Sequence, residues 1–110
     1  MKIFTKTSLQ ELTQMSENFF GDMVKAVIDI DRKLIALDAE LHSDLEALLL
    51  EAGSKQNSPW GINLYPKQED FLEFDSIINL RPSQGNKSRG VDSAEIRQKI
   101  TDIINNQIEK

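Results

Sequence analysis

The fold is decided by the stretch MVKAVIDI, Met23–Ile30, in which side chains alternate between the two faces of a β-strand. The apolar face carries Val24, Ala26, Ile28 and Ile30, and the polar face carries Lys25, Asp29 and Asp31. A second strand is predicted at Lys33–Leu37, with Asp31-Arg32 as the turn. This turn lacks the Asn-Gly or Asp-Gly pair of a tight hairpin, so the sequence leaves its register open.

Helices are predicted on both sides of this hairpin along the chain. Upstream, Leu9–Phe20 has an apolar stripe, Ser8 and Glu11 have the spacing of a capping box, and Gly21 ends the helix. Downstream, Ser43 repeats that spacing with Glu46, and leucines at helical steps follow until Gly53. The alternative for this second segment is a strand at Ala47–Glu51.

The second half of the chain repeats the strand pattern. Alternating residues predict a third strand at Trp60–Tyr65 and a fourth at Phe74–Arg81. A last helix is predicted from Asp92, with Glu95 three residues on. The order α-ββ-α-ββ-α predicts a single α+β domain over residues 1–110, with a four-stranded antiparallel or mixed sheet packed on one face by helices.

Composition excludes several classes of protein. The chain has 110 residues and no cysteine, which excludes zinc knuckles, thiol nucleophiles and disulfide frameworks. Thirteen basic and eighteen acidic side chains give a net charge of −5, which argues against a general nucleic-acid binder. The apolar runs are far shorter than the roughly 20 residues that cross a bilayer, and the N-terminus has no signal-like apolar region. We therefore predict a cytoplasmic protein without a membrane partner.

The segment Arg81–Gly90 is the least ordinary stretch of the chain, because it holds three cations and no acid. Gly85 and Asn86 permit positive φ, so that backbone amides could form a concave anion site, and Arg81 or Arg89 could grip a phosphate or carboxylate. The spacing matches neither the phosphate loop GxxxxGK[ST] nor GxGxxG, and no cofactor is predicted. The alternative is a polar loop whose cations pair with nearby acids.

A polar strand face is the best pointer to a ligand site. Asn63 and Tyr65 would share it with Asn79 and Arg81 if the third and fourth strands pair. Fixed amide, phenol and guanidinium groups can orient a small ligand. In the alternative, the asparagines satisfy loop backbone and Arg81 pairs with Asp75 or Glu73.

A cluster of acids surrounds the single histidine, His42. In an extended loop this cluster could hold magnesium or manganese, or use the imidazole as a general base. The cluster matches no metal-ligand spacing, so no metal ligand is assigned, and the alternative is a solvated helix start. Its members are Asp38, Glu40, His42, Asp44 and Glu46.

Trp60 could in principle be a stacking platform for bases. Because Trp60 alternates with Ile62 and Leu64, the indole is instead predicted on the buried face of the third strand.

Several segments together resemble a family of small prokaryotic single-domain proteins known only as a domain of unknown function. They cover most of the chain: Phe19–Lys25, Glu40–His42, Glu46–Gln56, Trp60–Pro66, Phe74–Ser76, Ile78–Asn79 and Arg81–Arg89. The resemblance implies a free-standing single-domain protein. It implies no activity, cofactor or catalytic residue.

The leading hypothesis is a small binding or accessory domain that recognises an anionic group, such as the phosphate of a nucleotide or a carboxylate. The predicted ligand contacts are Asn63, Tyr65, Asn79, Arg81, Gly85, Asn86, Lys87 and Arg89. One alternative is a metal-assisted hydrolase or nuclease using His42 with Glu40 or Asp44, which requires His42 on the same side of the sheet as Arg81. The other is a structural or adaptor protein that forms a homodimer through an edge strand or a helix stripe.

Overall fold

The computed structural model describes residues 1–110 and shows an α+β architecture with three α-helices and two sheets. A five-stranded antiparallel sheet has the order β1-β4-β3-β5-β6, and β2 pairs with β7 in a small parallel sheet. The strands are β1 Lys2–Phe4, β2 Thr7–Ser8, β3 Val24–Asp29, β4 Leu34–Leu37, β5 Pro59–Leu64, β6 Leu72–Glu73 and β7 Ile108–Glu109. The helices are α1 Leu9–Asn18, α2 His42–Glu51 and α3 Ala94–Gln107.

The predicted hairpin at the centre of the sheet is confirmed, and a side chain builds its turn. The buried carboxylate of Asp29 accepts hydrogen bonds from the backbone amides of Asp31 and Arg32, both at 2.9 Å. Its other oxygen accepts one from Ser54 Oγ at 2.5 Å. Lys33 then takes a positive φ of 56°. The side chain of Asp29 therefore stabilises this turn, which has no Asn-Gly or Asp-Gly pair.

Helices cover both faces of the sheet, which corrects the expectation of one covered face. On one face, α1 and α3 bury the predicted apolar face of β3 together with Trp60, Ile62 and Leu64. On the other, Leu45 and Leu49 of α2 pack on Val27 and Ala36. Val27 shares this second face of β3 with Lys25 and Asp29. Helix α2 covers the part of the face around Val27 and leaves the rest uncovered. The uncovered part carries the polar side chains described below.

The helix starts agree with the sequence in one case out of three. Ser8 caps α1 as predicted, accepting from the Glu11 amide at 3.1 Å. Helix α2 begins at His42 without a side-chain cap, so the predicted cap at Ser43 is wrong. Ser93 caps α3 in place of Asp92, because Asp92 is engaged in the preceding loop.

The predicted fourth strand at Phe74–Arg81 is wrong. Only Leu72–Glu73 pairs with β5, beside Asn63 and Leu64. Ser76 Oγ then accepts a hydrogen bond from the Ile78 amide and starts a 3₁₀ turn at Ile77–Asn79, and a second 3₁₀ turn follows at Pro82–Gln84. A local side-chain bond thus competes successfully with strand formation. The predicted strand count of four is corrected to five by β1 and β6.

No helix of this fold combines the length and apolar character that crossing a membrane requires.

Candidate functional site

The predicted site residues separate into two groups, because the fourth strand that would have united them is absent. One group lies in the segment Ser76–Asn86, which we call the edge segment: Asn79, Arg81, Gly85 and Asn86. The other group lies on the face of the sheet that α2 partly covers, next to the N-terminal end of that helix. It comprises Asn63, Tyr65 and Arg89. Lys87 sits between them with its side chain exposed.

Asn79 substitutes for a strand at the edge of β5. Its Oδ1 accepts from the Gly61 amide and its Nδ2 donates to the Gly61 carbonyl, both at 2.8 Å. Nδ2 also donates to the Arg89 carbonyl at 3.0 Å. The residue is 0% exposed, so all its hydrogen-bonding capacity serves the fold.

Asn86 holds the edge segment together in the same way. Its Nδ2 lies 2.7 Å from the Asn79 carbonyl, 3.1 Å from the Ser88 carbonyl and 2.9 Å from the Gly90 carbonyl, while Oδ1 accepts from the Asp92 amide at 2.8 Å. The two asparagines thus satisfy backbone groups, as the alternative to a ligand role anticipated.

The side chain of Arg81 is largely buried and has several partners. Its Nε donates to the Ile78 carbonyl at 3.0 Å, and one terminal nitrogen donates to the Pro59 carbonyl and lies 3.6 Å from Glu46 Oε2 on α2. The guanidinium carbon lies 4.3 Å from the centre of the Trp60 ring. Burial lowers the pKa of Arg81 and raises that of Glu46, and the attraction between the two opposes both shifts. The expected partners Asp75 and Glu73 are therefore replaced by Glu46.

The loop amides that were expected to meet a ligand anion meet a carboxylate of the protein itself. Gly85 does take the predicted positive φ, 84°. However, the Lys87 amide donates to Asp92 at 2.7 Å and the Ser88 hydroxyl donates to it at 2.6 Å. These two bonds lower the pKa of Asp92 below its usual 3.8. Asp92 is therefore charged at neutral pH and would repel a second anion at this point.

The second group belongs to a larger surface that strand register assembles. Lys25 of β3 lies opposite Asn63 of β5, and Asn63 lies opposite Glu73 of β6, so the three form a row across three strands. All three point to the face that carries α2, since they share the alternation of Val27 and Gly61. We call the whole surface the polar patch: Lys25, His42, Asn63, Tyr65, Glu73, Asp75 and Arg89.

Hydrogen bonds order the middle of the polar patch. Glu73 Oε1 accepts from Asn63 Nδ2 at 2.8 Å and from the Tyr65 hydroxyl at 2.9 Å. Asn63 Nδ2 also contacts the Asp75 carbonyl at 3.3 Å, and since both partners are acceptors the amide orientation is fixed. Asn63 Oδ1 is buried without a partner. Partial burial and the bond to Glu73 raise the pKa of Tyr65 to about 12, so the phenol stays protonated.

Arg89 differs from Arg81 in how much of its guanidinium is used. Its Nε donates to Asp75 Oδ1 at 3.0 Å, and its side chain is 59% exposed. The two terminal nitrogens make no hydrogen bond within the chain. Lys25 likewise pairs with no carboxylate, although its ammonium lies 5.0 Å from the centre of the Phe20 ring.

His42 lies at the border of the polar patch, on the same side of the sheet as Arg81, whose partner Glu46 is on the same helix. One ring nitrogen, Nε2, is 2.7 Å from the Ile62 carbonyl and must carry the proton, because a carbonyl only accepts. Burial lowers the pKa of His42 from 6.5, with smaller contributions from Lys25 and Arg89 in the same direction. His42 is therefore neutral at pH 7.

The acids around His42 do not converge as the metal hypothesis requires. Glu40 and Asp44 are exposed, and no group of three or more histidine or acidic side chains is placed to hold a metal ion. The metal-assisted hydrolase therefore has no supporting cluster.

Sequence reasoning missed Lys25, Glu73 and Asp75 as members of the polar patch. A signal was available for Lys25: pairing the residues of Met23–Ile30 against those of Trp60–Tyr65 in antiparallel register places it across from Asn63. Glu73 could not be found this way, because the strand was expected to start at Phe74, and Asp75 was considered only as a partner of Arg81.

A comparison with known protein families gives one match. The model of the family described as "Protein of unknown function (DUF5674)" matches residues 1–107. The chain belongs to the DUF5674 family. This confirms the resemblance to a domain of unknown function. Neither a curated protein nor a solved structure matches the chain.

Proposed function

We propose that this DUF5674 protein is a small binding domain that recognises an anionic group at the polar patch, between Lys25 and Arg89. The supporting observation is that Asp75 holds Arg89 through Nε alone. This contact orients the guanidinium and leaves both terminal nitrogens free for a phosphate or carboxylate, which they can bind with two parallel hydrogen bonds.

The two acids of the polar patch do not cancel this attraction. Glu73 accepts hydrogen bonds from Asn63 and Tyr65, which stabilise its negative charge. Asp75 forms an ion pair with Arg89. Lys25 forms no ion pair, whereas the charge of Lys87 interacts with that of Asp92 in the loop before α3. Lys25 and the terminal nitrogens of Arg89 are therefore the groups that an incoming anion would meet.

The edge segment holds the backbone of Arg89 in place. Asn79 binds the Arg89 carbonyl, and the Ser76 amide donates to the same carbonyl at 2.9 Å, so the backbone of Arg89 is held by two bonds. In this proposal Lys25, Lys87 and Arg89 face the ligand, while Asn63 and Tyr65, whose donors are used on Glu73, border it. The other predicted contacts, Asn79, Arg81, Gly85 and Asn86, position them.

Isothermal titration with inorganic phosphate, mononucleotides and short oligonucleotides tests the proposal. Arg89→Ala and Lys25→Ala should each weaken binding by roughly tenfold or more, because a charge-assisted hydrogen bond contributes about 1.5–3 kcal/mol. Lys55→Ala is the matched control, since Lys55 is an exposed lysine outside the polar patch. Equal and negligible binding by the wild type and both variants would contradict the proposal.

The two other functions inferred from the sequence gain no comparable support. His42 does lie on the same side of the sheet as Arg81, but a hydrolase of the metal-assisted type lacks its ligand cluster. A homodimeric adaptor and a cytoplasmic location stay predictions.

A further inference from the structure

A second candidate site lies on the opposite side of the edge segment from the polar patch. A cavity of about 200 Å³ opens there at the N-terminal end of α3. Its volume is below the roughly 300–1,000 Å³ of pockets for drug-sized ligands, so a single small group would fill it. The residues that matter for its chemistry are Asn57, Trp60, Gln84, Asp92, Ser93 and Ile96.

Trp60 lines this cavity and carries an unused hydrogen-bond donor. The side chain lines the cavity and is 3% exposed, and its only polar atom, Nε1, is buried without a partner. A buried donor without a partner has lost its hydrogen bond to water, and native proteins rarely leave one in this state. Arg81, which stacks on the ring of Trp60 without lining the cavity, also has an unpaired buried donor, Nη1. Neither group has an acceptor within the chain.

The remaining lining decides what kind of acceptor fits. Asp92 is charged at neutral pH, because the Lys87 amide and the Ser88 hydroxyl stabilise its carboxylate, so a second anion in the cavity would be repelled. Asn57 and Gln84 have exposed side chains whose amides make no hydrogen bond within the chain, and can both donate and accept. Trp60 and Ile96 supply flat and apolar surface.

We propose that this cavity binds a small uncharged amide, whose carbonyl oxygen accepts from the Trp60 indole while its N–H group bonds to Gln84 or Asn57. The proposal does not depend on anion binding at the polar patch, since the two sites share no residue.

The single tryptophan makes the test direct, because the chain has one indole ¹H–¹⁵N resonance. Nicotinamide and nicotinate are the probes, since they share a ring and differ in an amide against a carboxylate. We expect nicotinamide to shift the indole resonance saturably, and nicotinate to do so at least about tenfold more weakly. Shifts of equal size and affinity from both probes would overturn the assignment. An indole resonance that neither probe moves would mean that only water reaches the cavity, and would overturn it too.

Two variants separate this site from structural effects. Trp60→Phe keeps an aromatic ring but removes the N–H, and should weaken nicotinamide binding by roughly five- to tenfold in calorimetry, as expected for one neutral hydrogen bond. Gln84→Ala changes an exposed side chain, so it should fold normally and weaken binding to a similar degree. Asn105→Ala is the matched control, because it removes an exposed amide on α3 outside the cavity, and it should bind nicotinamide like the wild type. Unchanged binding in both Trp60→Phe and Gln84→Ala would contradict the proposal.

Discussion

Arg81 and Arg89 stand at the two ends of one short segment and have opposite environments. The side chain of Arg81 is 10% exposed, stacks on Trp60, donates hydrogen bonds to two backbone carbonyls and forms an ion pair with Glu46. The side chain of Arg89 is 59% exposed and bonds to Asp75 through Nε only. Both residues are arginines, so the sequence alone does not distinguish them. Only the fold distinguishes an arginine that holds the sheet edge from one whose donors remain available.

The same contrast extends to the regions around the two arginines. In the edge segment, Asn79 and Asn86 use their amides on backbone groups that would otherwise be buried and unpaired. In the polar patch, Lys25 and the terminal nitrogens of Arg89 have no partner in the chain. Substitutions in the edge segment should therefore affect stability, and substitutions in the polar patch should affect binding.

The largest expected effect is the loss of Asn79. Asn79→Ala leaves the amide and carbonyl of Gly61 unpaired at the edge of β5 and removes a bond from the Arg89 carbonyl. At about 1–3 kcal/mol for each group left buried and unpaired, we expect unfolding to become easier by about 4 kcal/mol. Urea denaturation measures this change. Asn105→Ala is the matched control, because Asn105 is exposed on α3 and should change stability by less than about 0.5 kcal/mol. A similar small change at Asn79 would contradict its assigned role.

Gly61→Ala should have the next largest effect. An added Cβ at Gly61 would lie 2.5 Å from the Cβ of Ser76, so the 3₁₀ turn would have to move away from β5. Overpacking of this kind costs about 1–3 kcal/mol. The double variant G61A/S76G removes the clashing atom and should recover part of the loss in the same urea experiment. Additive losses in the double variant would show that the two residues do not meet.

The hairpin, β5 and the three helices could be predicted from sequence because each depends on local pattern. Alternation at Met23–Ile30 and Trp60–Tyr65 produced strands, and helical periodicity produced α1, α2 and α3. The stretch Phe74–Arg81 also alternates, yet it turns twice. Its structure depends on Ser76 bonding locally and on Asn79 reaching Gly61, a residue 18 positions earlier. Such a long-range side-chain contact leaves no periodic signal.

The candidate site was predictable to a similar extent. Residue type and charge drew attention to Asn63, Tyr65 and Arg89, which the fold does place near one another. The same signals drew attention to Arg81 and Asn79, which the fold buries. What decides between the two outcomes is burial and the identity of the partner, and both depend on how α2 and the edge segment pack. Glu46 shows this clearly, because nothing in the sequence pattern pairs it with Arg81.

The pH dependence of stability tests the environment of His42, which lies at the border of the polar patch. The folded pKa of His42 lies below 6.5, so the unfolded chain takes up a proton that the folded chain refuses. Stability should therefore fall as the pH drops through 6.5 toward the lower folded pKa, and above that range this contribution should be constant. His42→Gln lacks the titration, so the difference in unfolding free energy between it and the wild type should change as the pH falls below about 6.5 and stay constant above it. A constant difference would show that His42 titrates normally.

Arg89→Ala should have the smallest effect on stability. An exposed ion pair contributes about 0–1 kcal/mol, and Arg89 and Asp75 are 59% and 44% exposed, so we expect a loss below about 1 kcal/mol in urea. The backbone of Arg89, which Asn79 and Ser76 bind, is unchanged by the substitution. Arg81→Ala is the paired comparison and should cost clearly more, since it uncovers Trp60 and leaves Glu46 and the Pro59 carbonyl without a partner. Equal losses from the two variants would contradict the division between scaffold and site, because Arg89 would then be held as firmly as Arg81.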